Sequence, residues 1–114
     1  MSDAIRRLDV YFYCTTSGNN PVREWLKSLP AADRRIIGRD LLMVELGWPV
    51  GMPLCRPLGD GLWEVRSTLP SRRISRILFC VSAGRMMLLH AFIKKTQKTP
   101  GEDLEIARSR KKEL

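Results

Sequence analysis

The sequence predicts an α+β domain in which a mostly antiparallel sheet packs against a pair of helices. Between residues 20 and 46, apolar residues recur every three or four positions, which is the spacing of amphipathic helices. From residue 62 to residue 95 the composition and the alternation become those of β-strands. The connection Ala83-Gly84 is so short that the strands flanking it must run antiparallel.

The first half of the chain predicts one strand followed by two helices. Residues 8–14 are rich in aromatic and β-branched side chains and predict the strand. Asn20 followed by Pro21 is typical of a helix N-cap and first helical residue, so a short amphipathic helix is expected there. The second helix is expected over residues 31–46, closed by Gly47 in the left-handed conformation.

The second half of the chain predicts strands joined by tight turns, and then a final helix. Acidic residues at the start of the last segment and basic residues at its end suit the dipole of a helix. The first two helices need an apolar sheet face to cover, and we expect the other face of the sheet to be open. The predicted strands are residues 54–58 (a weak one, interrupted by Pro57), 62–69, 74–82 and 85–95, and the last helix begins at Pro100.

Length and composition narrow the class of protein. The chain has 114 residues, of which 44% are apolar, so we expect one domain spanning residues 1–114 with a real core. Its apolar stretches fall short of the ~20 residues that a membrane-spanning helix needs. The paired arginines near the N-terminus lack the apolar segment of a secretory signal. We therefore expect a cytoplasmic protein with no membrane partner.

The cysteines and the histidine do not form a pattern typical of metal binding. Cys14, Cys55 and Cys80 are an odd number at wide spacings, so we expect reduced, buried thiols. The only histidine, His90, lies within a predicted strand and is expected to be a packed or hydrogen-bonded core side chain rather than a catalyst. The sequence predicts neither a metal site nor a cofactor.

Positive charge is concentrated in one part of the chain. The formal net charge is +8, and the stretch from Val65 to Gly101 contains no aspartate or glutamate. Like charges repel, so such a run is typical of a surface that meets an anionic partner; a solvated surface of high pI is the alternative. The basic residues of this stretch are Arg66, Arg72, Arg73, Arg76, Arg85, Lys94, Lys95 and Lys98.

Strand alternation predicts where some of these charges lie. Glu64 and Arg66 share one face of their strand, and Arg76 interrupts an apolar set on the next strand. Neighbouring strands would bring Arg66, Arg76 and Lys95 to one patch able to receive a phosphodiester. The alternative is that Arg66 pairs with Glu64 or another carboxylate and that the lysines are merely solvated.

Three segments carry a resemblance to a known family. Residues 61–66 (GLWEVR), 76–79 (RILF) and 88–100 (LLHAFIKKTQKTP) resemble the phage-derived Gp49-like branch of the RelE/HigB toxin superfamily, and the likeness covers nearly the whole chain. It implies a RelE-like fold, with two N-terminal helices on a curved sheet and a short C-terminal helix. It also implies an endoribonuclease that cleaves mRNA in the ribosomal A site and inhibits translation. The implied partner is a helix-turn-helix antitoxin that binds the toxin as a hetero-oligomer.

The resemblance also implies roles for individual residues. By position, Arg66 matches the basic residue of the central strand, and Arg76 matches the arginine that contacts the scissile phosphate. In such a reaction the neighbouring 2′-hydroxyl is the nucleophile, and cations stabilise the charge that develops on phosphorus. Lys95 is the candidate general acid, and Glu64 is either the base or a structural glutamate. Lys94, Lys95 and Lys98 match the basic block that follows the last strand of the family. The residues expected to bind RNA are Arg73, Lys94, Gln97 and Lys98.

A second hypothesis uses the same basic face without catalysis. The protein would then be a phage-derived accessory protein that binds nucleic acid or another protein. Its binding would depend on salt and would leave RNA uncut.

Overall fold

The computed structural model describes residues 7–114, which form a five-stranded sheet and three helices. The predicted absence of a secretory signal concerns mainly residues 1–6, which lie outside the described residues. In chain order the elements are β1 (Asp9–Phe12), α1 (Pro21–Lys27), α2 (Ala31–Gly47), β2 (Cys55–Gly59), β3 (Leu62–Thr68), β4 (Ile74–Ser82), β5 (Arg85–Ile93) and α3 (Gly101–Lys112).

The sheet is mostly antiparallel and has β4 at its centre. The strand order is β1-β5-β4-β3-β2, and β1 alone of these strands pairs in parallel, with β5. Ala83 and Gly84 join β4 to β5 with φ values of 52° and 74°, as a two-residue hairpin of type I′ requires. The α+β class and the antiparallel hairpin are therefore confirmed.

The N-terminal helix pair packs on one face of the sheet, as predicted. Ile37, Leu41 and Val44 of α2 lie in a core with strand residues such as Ile77 and Phe79. β4 is buried on both faces, which explains its nearly continuous apolar sequence.

The second face of the sheet is not open, and this expectation was wrong. The helix α3 packs on β4 and β5, where Ala107 is fully buried in a second core with Leu78 and Leu89. Arg110 Nη1 donates a hydrogen bond to the Leu89 carbonyl at 2.7 Å. The physical reason is that this face also presents apolar side chains, which need a cover.

Two predicted helix ends differ in detail from the structure. Gly47 is the last helical residue and does not adopt a positive φ. The helix ends because Trp48 precedes Pro49, and a residue before proline disfavours the α conformation. The Asn20 side chain makes no capping hydrogen bond within residues 7–114; its backbone N–H donates instead to Glu24 Oε2 at 2.9 Å.

The cysteine prediction is confirmed for two residues of three. Cys55 and Cys80 are buried free thiols, but Cys14 is exposed, because it follows the short edge strand β1 rather than lying within it. Among residues 7–114, no helix is both long enough and apolar enough to cross a membrane. The same residues contain no group of three histidine, cysteine, aspartate or glutamate side chains that could hold a metal ion.

Candidate functional site on the central strands

The candidate site lies on the α3 side of the sheet, where β3 and β4 carry charged residues. Arg66 of β3 is directly opposite Arg76 of β4, and Glu64 lies two residues before Arg66 on the same face. Farther along these strands the same face carries Leu62 and Leu78, which belong to the core beneath α3. The predicted placement of Glu64 and Arg66 on one face is therefore confirmed, and Arg76 lies opposite Arg66 on that face.

Glu64 and Arg76 form a buried ion pair. Their side chains are 2% and 1% exposed, and Arg76 Nε is 3.5 Å from Glu64 Oε1. Arg76 Nη2 donates to the Gln97 carbonyl at 2.7 Å, and Nη1 donates to Thr99 Oγ1 at 3.4 Å. Burial lowers the pKa of Arg76, and the nearby Glu64 carboxylate opposes that shift. Nη1 and Nη2 of Arg76 thus donate to groups within the protein.

Glu64 also faces a second arginine, which the sequence analysis missed. Arg56 of β2 pairs with Glu64 in the sheet register, and Arg56 Nη2 is 3.5 Å from Glu64 Oε2. The Arg56 side chain is 37% exposed, so water solvates part of its charge. No local signal marked it, because Arg56 lies in the weak strand beside Pro57 and its partner becomes known only from the strand pairing.

Two accessible cations lie beside this buried pair. Arg66 is half-buried, and its guanidinium has no ion pair or hydrogen bond within residues 7–114. Loss of solvation lowers the pKa of Lys94, and the positive charges of Arg66 and Arg76 lower it further. Lys94 Nζ donates to Gln97 Oε1 at 3.4 Å. Glu64 pairs with Arg56 and Arg76, while Arg66 and Lys94 lie nearby without an ion pair to it, so the site keeps an excess of positive charge.

Arg66 and Arg76 lie close enough to Lys94 for their positive charges to lower its pKa. The role of proton donor expected for Lys95 stays a prediction, and the position of Lys94 makes it a second candidate for that role. Lys95 is exposed and lies farther toward α3, where it lines a small hollow of about 200 Å³ with Phe92 and Asp103. The last strand ends at Ile93, so strand alternation gives no guide to the orientation of either lysine.

A larger hollow opens next to Lys94. It has a volume of about 490 Å³ and lies between the β3–β4 and β5–α3 connections. Arg73 lines it but is anchored: its Nη2 is 3.4 Å from Oδ2 of Asp33, which is itself buried. The lining residues are Arg72, Arg73, Ile74, Lys94, Lys95, Thr96 and Gln97.

The remaining predicted residues divide between the surface and the interior. Lys98 is exposed, and Gln97 holds the β5–α3 connection through its carbonyl and its side-chain oxygen. Glu64 is too deeply buried to reach a substrate hydroxyl in this conformation, so the geometry favours its structural alternative over the role of base. His90 is hydrogen-bonded, as expected: its Nε2 is 2.6 Å from Asp103 Oδ1 at the start of α3.

Comparison with known proteins gives a family for the chain. The model of the family described as phage derived protein Gp49-like (DUF891) matches residues 24–112. The search of curated proteins gives no match. The matched region includes β2 to β5 with the Glu64–Arg76 pair, Arg66 and Lys94, and it extends to the end of α3. The chain therefore belongs to the Gp49-like family, a RelE/HigB-like toxin family associated with toxin–antitoxin systems.

Proposed function

We propose that this protein is the toxin of a type II toxin–antitoxin system and a ribosome-dependent endoribonuclease that cleaves mRNA in the A site. In this proposal residues 1–114 form one RelE-like toxin domain that acts in the cytoplasm and inhibits translation. The observation that carries it is the pair of accessible cations, Arg66 and Lys94, beside a carboxylate that is already paired with Arg56 and Arg76. Family membership supports the toxin class.

The chemistry assigns one role to each accessible cation. The 2′-hydroxyl of the RNA attacks phosphorus, its proton passes to solvent, and the bond to the 5′-oxygen breaks. The Arg66 guanidinium binds the non-bridging oxygens and stabilises the charge that develops on them. Lys94 Nζ donates a proton to the departing 5′-oxygen, and its lowered pKa makes it a better acid than an ordinary lysine. The products are a 2′,3′-cyclic phosphate and a 5′-hydroxyl.

In this proposal the buried residues Glu64 and Arg76 assist Arg66 and Lys94 without contacting the RNA. Arg76 adds positive potential beneath the phosphate without touching it, and Glu64 keeps Arg76 charged and in place. The ribosome positions the RNA strand, so the protein itself needs only the proton donor and the cations. A helix-turn-helix antitoxin is the proposed partner, and it would inactivate the toxin as a hetero-oligomer.

The test measures growth and RNA ends after expression from a tightly repressed promoter. We expect growth arrest, new 5′-hydroxyl ends within translated mRNA, and cleavage of mRNA on programmed ribosomes in vitro. Arg66→Ala and Lys94→Ala should each reduce cleavage about 100-fold or more. The matched controls are Arg23→Ala and Lys27→Ala, which remove exposed charges on α1.

The second hypothesis is separated from the first by the same assay. Salt-dependent RNA binding by a folded protein that produces no new RNA ends would indicate a non-catalytic accessory protein. Full toxicity in the double variant of Arg66 and Lys94 would refute the site assignment.

A further inference from the structure

The hydroxyl group of Thr99 lies at the centre of the buried charge cluster. Thr99 Oγ1 donates to Glu64 Oε1 at 2.8 Å and accepts from Arg76 Nη1 at 3.4 Å. Arg56 Nη2 lies 3.5 Å from the same oxygen. A hydroxyl is suited to this position because it is both a donor and an acceptor, whereas a carboxylate would repel Glu64 and a methyl group would bond to neither side.

The Thr99 hydroxyl links the two members of the ion pair, Glu64 and Arg76. Arg76 Nε is buried, has no hydrogen-bond partner among the described residues, and lies 3.5 Å from Glu64 Oε1, so the two side chains share no direct hydrogen bond there. The hydroxyl therefore bridges Glu64 and Arg76. Without it, one oxygen and one N–H in the buried cluster would lose a partner, which is costly in a buried site.

The same bridge fixes the connection that carries Lys94. Residues 94–100, here called the β5–α3 loop, begin with a hydrogen bond from the Lys94 amide to the Ile74 carbonyl at 2.7 Å. In the middle of the loop, Arg76 holds the Gln97 carbonyl. Near its end, Thr99 is held by Glu64. The Lys94 amine itself donates to Gln97 Oε1 within this loop, so the contacts that hold the loop also bear on the position of the amine.

We propose that Thr99 is a positioning residue, whose side-chain hydroxyl locks the β5–α3 loop onto the Glu64–Arg76 pair and so sets the position of Lys94. The effect on RNA cleavage rests on the proposed function, but the locking of the loop does not. Thr99→Val removes the hydroxyl at nearly constant volume, and Thr99→Ser restores it. Thr16→Val is the matched control, because Thr16 is exposed in the β1–α1 connection.

The first experiment measures the loop directly by limited proteolysis. Trypsin cleaves after lysine, and the loop contains Lys94, Lys95 and Lys98. We expect trypsin to cleave the loop roughly ten-fold faster in Thr99→Val than in the wild-type protein. Thr99→Ser and the control Thr16→Val should be cleaved at the wild-type rate. Cleavage at Lys27 in α1, followed by mass spectrometry, should be unchanged and reports global unfolding. Equal loop cleavage in Thr99→Val and wild type would overturn the proposal, as would failure of Thr99→Ser to restore protection.

The second experiment measures RNA cleavage on programmed ribosomes. Thr99→Val should lower kcat about ten-fold with little change in KM, since Lys94 is displaced while Arg66 still binds the RNA. Thr99→Ser should recover most of kcat. A higher KM with an unchanged kcat would contradict the proposal that Thr99 positions the proton donor. Absence of cleavage in the wild-type protein would refute the proposed function, while the proteolysis result would still decide whether Thr99 locks the loop.

If Thr99→Val does not fold, the wild-type protein answers the question by proton NMR. A hydroxyl that stays hydrogen-bonded to Glu64 gives a resolved, slowly exchanging proton signal, and cross-peaks assign it to Thr99. A rapidly exchanging Thr99 hydroxyl in the folded protein would overturn the proposal.

Discussion

The buried carboxylate of Glu64 is the most consequential charge to remove. Glu64→Gln keeps the shape of the side chain and an oxygen that can accept from the Thr99 hydroxyl, but it abolishes the negative charge. Arg76 is 1% exposed and cannot turn to water, so its positive charge would remain buried without a counter-ion. Arg56 is 37% exposed and would be rehydrated at little cost.

The exposed fractions of Arg76 and Arg56 determine how far Glu64→Gln should lower the free energy of unfolding. Breaking a buried ion pair by removing one partner costs about 3–5 kcal/mol, whereas an exposed pair contributes only about 0–1 kcal/mol. The Gln side chain retains one hydrogen bond, so we expect Glu64→Gln to lower the free energy of unfolding by about 3 kcal/mol. That is a large part of the roughly 5–15 kcal/mol of a typical domain.

Urea denaturation followed by circular dichroism measures this change. Glu105→Gln is the control, because it makes the same chemical change at an exposed position of α3 and should shift the free energy by less than about 0.5 kcal/mol. The double variant Glu64→Gln with Arg76→Met should cost less than the sum of its single variants, since no unpaired charge is then buried. Equal stability of Glu64→Gln and Glu105→Gln would refute the conclusion that Glu64 is the counter-ion of Arg76.

Three further predictions concern other parts of the molecule. The pKa of Lys94 is lowered from 10.5, and a general acid must be protonated, so the cleavage rate should fall as the pH rises through a value below 10.5. A cleavage rate that does not change up to pH 10.5 would contradict this role of Lys94. Burial raises the pKa of Cys55 to about 11, so only about 0.1% of this thiol is thiolate at pH 8. Iodoacetamide, with the product followed by mass spectrometry, should therefore label the exposed Cys14 first. Labelling of Cys55 as early as Cys14 would contradict the burial of Cys55. Phe79→Ala empties a fully buried core position and should cost about 3–5 kcal/mol in urea denaturation, against less than about 0.5 kcal/mol for the exposed Ser82→Ala; similar values for the two would exclude the core placement.

Local sequence patterns predicted the elements well because strands and turns are governed by near neighbours. The bounds of β4, residues 74–82, agree with the prediction, and the Ala83-Gly84 turn has the positive φ values of its type. Alternation correctly placed Glu64 and Arg66 on one face, since side chains in a strand point to opposite sides in turn.

The position of α3 was harder to predict. The periodicity of its sequence indicates a helix but does not say which surface the helix covers. Its packing depends on Leu78 and Leu89, which lie on the second face of the sheet and leave apolar area to be buried. An open face was expected because only the N-terminal helix pair had been matched to an apolar surface.

The sequence by itself determined the α+β class, the antiparallel hairpin, and the concentration of unopposed positive charge in residues 65–101. Only the tertiary structure decided that Arg76 and Glu64 are buried, that Arg56 also pairs with Glu64, and that Lys94 lies near them. The reason is sequence separation: Thr99 and Glu64 are 35 residues apart, and Arg56 and Thr99 are 43 apart. Propensity and alternation act over a few residues, whereas these contacts exist only once the strands have paired and the β5–α3 loop has crossed their ends.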